Sequence, residues 1–192
     1  MNKKQDKIIN ACINLFLQYG IRKTTMDDIA KSANVSKVTI YKYFGDKDSL
    51  YLAVGISIFN YYISLLKLQS EQSLPIDSKL EKVLDTLTEL IASNKLMLCK
   101  ELSTLTDSLY SEYENFYTEY KNIIIKLLDE GKSFGKIKNK INNEIGFHYI
   151  DMGLSYFENN LNYRHKMLND SVFQQEYINF VLSNIFVKEG KL

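Results

Sequence analysis

The sequence predicts an all-α protein. Three observations lead there. One proline (Pro75) and eight glycines in 192 residues are too few breakers for a strand-and-turn architecture. Long segments place apolar residues every three or four positions. Thr, Ser or Asp stands directly before several of these segments, where a helix needs an acceptor for its first amide groups. About nine helices result.

The first helix covers residues 4–19, with Ile8, Cys12, Leu15, Phe16 and Tyr19 at helical spacing and Gly20 closing it. Thr25 followed by Asp28 is the spacing of a capping box, and Ile29, Ala30 and Ala33 give the second helix a small apolar face. Asn34 stands where the chain must turn and tolerates the left-handed conformation. Ser36 caps the third helix, in which Ile40 and Phe44 point to one side. Its other side shows Val38, Thr39, Lys42 and Tyr43, flanked by Lys37 and Tyr41. A short helix with an apolar anchor and a basic, hydroxyl-rich outer face suits a major groove. Residues 25–47 therefore read as a helix-turn-helix.

Asp46 caps a long fourth helix running through Leu50, Val54, Ile58, Tyr61 and Leu65 to about residue 70. Residues 70–77 (SEQSLPID) are the first polar break. The fifth helix spans 78–92 and the sixth 96–105. The seventh spans 109–130, with an aromatic face of Tyr113, Phe116, Tyr117 and Tyr120, and Gly131 and Gly135 mark the turn that ends it. The eighth covers 142–160 and the last 170–188. This divides the chain into a three-helix head, residues 1–47, joined by helix 4 to a helical body, residues 48–192.

Charge follows the same division. Nine Lys and Arg against four Asp leave residues 1–47 at a formal +5, so the remainder of a chain of net +1 carries −4. A basic head on an acidic body meets phosphate at one end. Cys12 and Cys99 have no CxxC or histidine partner at ligand spacing, so they read as small core residues. No apolar run of about 18 residues and no leader-like segment stands out, which leads us to expect a soluble, cytoplasmic protein.

The head resembles the DNA-binding domain of the TetR family of bacterial transcriptional repressors. The residues that carry the resemblance are Phe16 and Gly20, Thr25, Ile29-Ala30, Val35-Ser36-Lys37, Ile40-Tyr41, Tyr43-Phe44, Lys47 and Leu50. It departs from the family pattern at Asn34, where Gly is frequent, and at Val38, where a smaller residue is common. The resemblance implies base contacts from Val38, Thr39, Tyr43 and Lys42, with Lys37 and Tyr41 flanking the reading face. It further implies phosphate contacts from Thr25 and Lys47. Beyond residue 60 it is architectural only.

The last helix carries Phe173, Tyr177, Phe180, Val181, Leu182, Ile185 and Phe186 around most of its circumference, more than the stripe a monomer's surface helix needs. Phe173, Tyr177, Val181, Leu182 and Ile185 are accordingly expected in a homodimer interface, which the resemblance also implies. A two-fold dimer presents two reading helices to a near-palindromic operator. If a small hydrophobic effector binds the body, its wall is expected from Tyr62, Leu66, Leu87, Met97, Leu102, Tyr113, Phe116, Tyr117, Tyr120, Tyr149, Met152 and Tyr156.

His148 and His165 lie too far apart for a zincin-like motif, and no nucleophile–base set appears, so neither a metal, a cofactor nor an enzyme is expected. GKSFGK at 131–136 is one residue short of P-loop spacing and follows a helix. The leading expectation is a ligand-responsive repressor of double-stranded DNA. Its alternative is a DNA-bound structural factor of the same fold without an inducer.

Overall fold

The computed structural model describes residues 2–187. Ten helices form among them: α1 (Lys3–Tyr19), α2 (Met26–Ser32), α3 (Lys37–Phe44), α4 (Lys47–Ser70), α5 (Ile76–Ala92), α6 (Lys95–Ser103), α7 (Asp107–Ser133), α8 (Asn143–Asn159), α9 (Leu161–Asn169) and α10 (Ser171–Ile185). The chain divides into two compact units, Met1–Tyr61 with Asn94–Asn115, and Tyr62–Ser93 with Phe116–Leu192.

The first unit packs α1, α2, α3, α6 and the first parts of α4 and α7. Ile8, Cys12, Phe16, Ile21, Ile29, Ile40, Leu50, Val54 and Leu109 are buried. The Phe16 and Tyr51 rings meet edge-on at 5.5 Å. Gly55 lets α4 approach α7 closely, since a Cβ there would lie 2.5 Å from Leu109 side-chain carbons. Burial pushes the Cys12 and Cys99 thiols up to about 12, as befits two core residues.

The second unit packs the end of α4, α5, the rest of α7, and α8 to α10. Its core includes Tyr62, Leu66, Leu80, Val83, Leu84, Leu127, Leu128, Phe147, Ile150 and Ile178. A largely buried ion pair, Lys79 Nζ to Glu130 Oε1 at 2.7 Å, ties α5 to α7. Ile137 and Phe186 form an isolated antiparallel bridge, with the Val187 N–H donating to the Lys136 carbonyl at 2.8 Å.

Four expectations need correction. First, α9 lies where a loop was expected. It buries one side chain, Met167, and lacks the apolar stripe that reveals a helix from sequence. Its signal was capping: the Asn160 side chain accepts from Tyr163 N–H, and Asp170 does the same for Phe173 at the next helix. The last helix is correspondingly shorter, ending at Ile185; Lys188, where it was expected to end, lies outside the described residues. Second, α7 continues through Gly131. That glycine serves a close approach, because a Cβ there would stand 2.4 Å from Ile137 Cδ1. Gly135, at φ +66°, makes the turn.

Third, α4 is long and apolar enough, by length and composition, to cross a membrane, with a mean hydropathy of 1.5 over its most apolar window. Its composition follows from serving two cores. Leu50, Val54 and Ile58 are buried in the first unit, Tyr62 and Leu66 in the second. Fourth, Val181, Leu182 and Ile185, expected at a dimer interface, are already buried within a single chain. The exposed apolar residues of α10 are Val172 and Phe180.

Candidate DNA-binding surface

The helix-turn-helix is assembled by hydrogen bonds between residues close in sequence. Thr25 Oγ1 accepts from Asp28 N–H at 3.2 Å, while Thr25 N–H donates to Asp28 Oδ2 at 2.9 Å, the reciprocal pair of a capping box. The Thr25 hydroxyl also donates to the same carboxylate at 2.6 Å. These bonds from Thr25, side chain first and then backbone, hold the Asp28 carboxyl below its ordinary value. α2 ends in a turn where Asn34 takes φ +53° and the Val35 N–H returns to the Ala30 carbonyl at 2.9 Å. That left-handed turn was legible from asparagine alone.

Ser36 then caps α3: its Oγ accepts from Thr39 N–H at 3.1 Å and lies 2.8 Å from Thr39 Oγ1. Ile40 anchors α3 with no exposed surface. Its opposite face stands open, led by Val38 at 77% exposure, with Tyr41, Lys42 and Lys37 also exposed and Thr39 and Tyr43 half-buried. Gly45, at φ +82°, stops α3, and Asp46 Oδ1 accepts from Ser49 N–H at 2.7 Å to start α4. Lys47 Nζ sits over the Tyr51 ring at 5.2 Å. The eight residues named for DNA contact thus lie on one short stretch, seven of them on or beside α3. Thr25 and Thr39 both carry hydroxyls already engaged locally, so any nucleic-acid contact must share or replace those bonds. One member of the cluster escaped sequence reasoning. Asp27, on the exposed side of α2, pairs with Lys37 at 3.0 Å. Only the turn brings these two residues together, and no spacing rule foretells it.

The residues named for an effector wall are spread more widely. Met97, Leu102 and Tyr113 belong to the first unit, and Met97 is 40% exposed there. In the second unit Tyr62, Leu66, Leu87, Phe116 and Tyr120 are buried, and Tyr117 and Tyr149 are half-buried. Met152 and Tyr156 face outward on α8, at 66% and 52% exposure. The structure does bring Tyr117, Tyr120, Phe147 and Asp151 together. The Tyr120 and Phe147 rings are 5.3 Å apart, and Tyr117 Oη donates to Asp151 Oδ2 at 3.1 Å. The buried Tyr120 hydroxyl has no partner in hydrogen-bond geometry. Burial, then the nearby Asp151 charge, pushes that phenol well above its usual range. Next to this cluster, Phe157 and Tyr177 meet edge-on at 4.6 Å. Gly153 admits the Tyr177 hydroxyl, which would stand 2.0 Å from a Cβ there. His148 and His165 are exposed. Among the described residues no three His, Cys, Asp or Glu side chains are grouped to hold a metal.

Residues 8–54 match the family described as "Bacterial regulatory proteins, tetR family". The chain is 30% identical over 115 residues to the biofilm operon icaADBC HTH-type negative transcriptional regulator IcaR of Staphylococcus epidermidis. That match takes in 60% of this chain and 62% of the relative, short of two thirds of its length. Among solved structures, the fatty acid degradation regulator FadR from Bacillus halodurans aligns with a TM-score of 0.75 at 21% identity, over 95% of this chain and 96% of that one. FadR from Bacillus subtilis, solved in complex with stearoyl-CoA, aligns with a TM-score of 0.68 at 19% identity, over 94% and 98%. At these identities the two structures establish the fold.

Proposed function

We propose that the chain is a regulator of the TetR family, a homodimeric repressor released from a near-palindromic operator by a small hydrophobic effector. The observation that carries the DNA-binding part is the outward face of α3. An exposed Val38 beside Tyr41 and Lys42, mounted on a fully buried Ile40, is an apolar and basic reading surface held on a rigid anchor. Val38 packs on a thymine methyl, Thr39 bonds a base edge, and Lys37, Lys42 and Lys47 neutralise phosphates. Repression accords with the negative regulator in Staphylococcus epidermidis.

The dimer reading rests on two exposed apolar stripes in the second unit. Ile145, Met152 and Tyr156 lie along one side of α8, and Val172 and Phe180 along one side of α10. Large exposed apolar residues in series mark an interaction surface. A second copy offering the same stripes makes a self-complementary, two-fold contact. Met152 and Tyr156 then serve this interface instead of an effector wall.

The effector reading draws on the Tyr117, Tyr120 and Asp151 cluster. A buried hydroxyl without a partner is costly, and a ligand or water that bonds it removes the penalty. The stearoyl-CoA bound to the Bacillus subtilis neighbour makes long-chain acyl compounds the first probes. An effector that favours the DNA-incompetent arrangement lowers operator affinity by the coupling energy between the sites. Such a regulator works where the chromosome is, in the cytoplasm. The test is a thermal-shift screen led by long-chain acyl-CoA, with each stabilising compound then added to a protein–operator complex. Compounds that raise the melting temperature and also release the duplex are expected. Stabilisers that leave the duplex bound would contradict regulation by an effector.

A further inference from the structure

Asp151 is a half-buried carboxylate that no cation balances. It stands on α8, one turn beyond the fully buried Phe147. Tyr117 Oη donates to its Oδ2 at 3.1 Å, but no lysine, arginine or histidine among the described residues pairs with it. Lys121, on the neighbouring stretch of α7, is engaged elsewhere: its ammonium pairs with Glu144 at 2.7 Å and lies 5.7 Å from the centre of the Phe147 ring. A second polar group at the same place also lacks a partner. The Tyr120 hydroxyl is buried and unbonded, and the Asp151 charge lies close enough to raise its phenol. Aromatic rings stand around both groups, with the centre of Phe147 5.8 Å from that of Tyr117 and 5.3 Å from that of Tyr120. A carboxylate drawn away from water is costly unless a cation or enough donors meet it. A phenol oxygen accepts a hydrogen bond, and aromatic faces attract positive charge.

We propose that this cluster seats a protonated amine, so that the effector is an amphiphile with a cationic nitrogen and an apolar tail. The inference rests on the effector reading above and narrows its ligand class. The ammonium donates one N–H to an Asp151 oxygen and a second to Tyr120 Oη, which gives both groups the partner they lack. The bond from Tyr117 is kept, because the carboxylate has lone pairs to spare. An anionic head group is disfavoured in the same place, since it meets the Asp151 charge with no cation to offset it. A neutral alcohol satisfies Tyr120 but leaves Asp151 unbalanced.

The test is calorimetric titration of the full chain with decylamine, decanol and decanoate, which share a tail and differ in head group. Wild type is expected to bind decylamine at least about 10-fold more tightly than decanol, as a hydrogen bond to a charged group implies, and decanoate most weakly. In Asp151→Asn the preference for amine over alcohol should shrink to within about 2-fold, since the charge is gone. Tyr120→Phe should weaken decylamine several-fold and raise the melting temperature of the free protein, because a buried unpaired hydroxyl is removed. A Tyr120 that only held the fold together would melt lower as Phe, and that result would overturn its part in the site. Decanol or decanoate binding as tightly as decylamine, or an amine preference that survives Asp151→Asn, would overturn the proposal. So would a failure of decylamine to bind, and an acyl-CoA that still released the operator would then leave the effector reading intact. Decylamine that bound with the expected preference but left an operator duplex in place would uphold the amine site and contradict the effector reading.

Discussion

The helix-turn-helix and the C-terminal helices are built by interactions of different range. Within the former, Thr25 bonds Asp28, Ser36 bonds Thr39 and Asp27 reaches Lys37, ten residues away at most. In the latter, Gln174 reaches Asp85 and Gln175 reaches Glu81, across 89 and 94 residues. A site written by near neighbours keeps its geometry when the rest of the chain changes. A body held by distant contacts takes its shape from the whole sequence. That difference accounts for a family match over residues 8–54, while the likeness beyond is one of architecture.

The largest effect is expected from charging the exposed stripes. Met152→Glu with Phe180→Glu should give monomers by sedimentation, and operator affinity should fall by at least about 100-fold as the avidity of two linked heads is lost. Dimers that persist would place the interface elsewhere. Next is Ile185→Ala, at a position 2% exposed in the single chain. It should cost about 2–5 kcal/mol in denaturant unfolding, as core truncations do. A neutral result would return Ile185 to the surface.

Legibility follows the same contrast. Gly20 ending α1, Asn34 in a left-handed turn and Ser36 capping α3 were all readable, because each acts within a few residues. The last helix is apolar on nearly every side, so periodicity could not say whether Val181 or Phe180 faces inward; only packing against the rest of the unit decides. Met152 and Tyr156, expected in an effector wall, lie exposed for a related reason, since an aromatic or methionine stripe does not state what it packs against. α9 was missed because its formation depends on two caps and one buried methionine.

Smaller effects sharpen the account of the head. Thr39→Ala should weaken operator binding by about 1–3 kcal/mol with little loss of stability, because the bond from the Thr39 N–H to Ser36 Oγ survives and only the exposed contact between the two hydroxyls is lost. An unchanged footprint would remove Thr39 from the reading face. Smallest is the pH dependence of the α2 cap. Asp28 is held below its ordinary value, so its charged form is the one that stabilises the fold. The stability advantage of wild type over Asp28→Asn should be complete above the usual aspartate range and fade as pH falls through the depressed value. Thermal melts at a series of pH values check this, and an advantage that grew on acidification would reverse the assignment.

If α3 is a specific reader carried by a two-fold dimer, the DNA it selects must carry that symmetry. Selection of bound sequences from random duplex DNA at moderate salt tests it most directly. A near-palindromic motif is expected, with half-sites spaced by about one helical turn or more. A folded, dimeric protein that enriched no motif would contradict it.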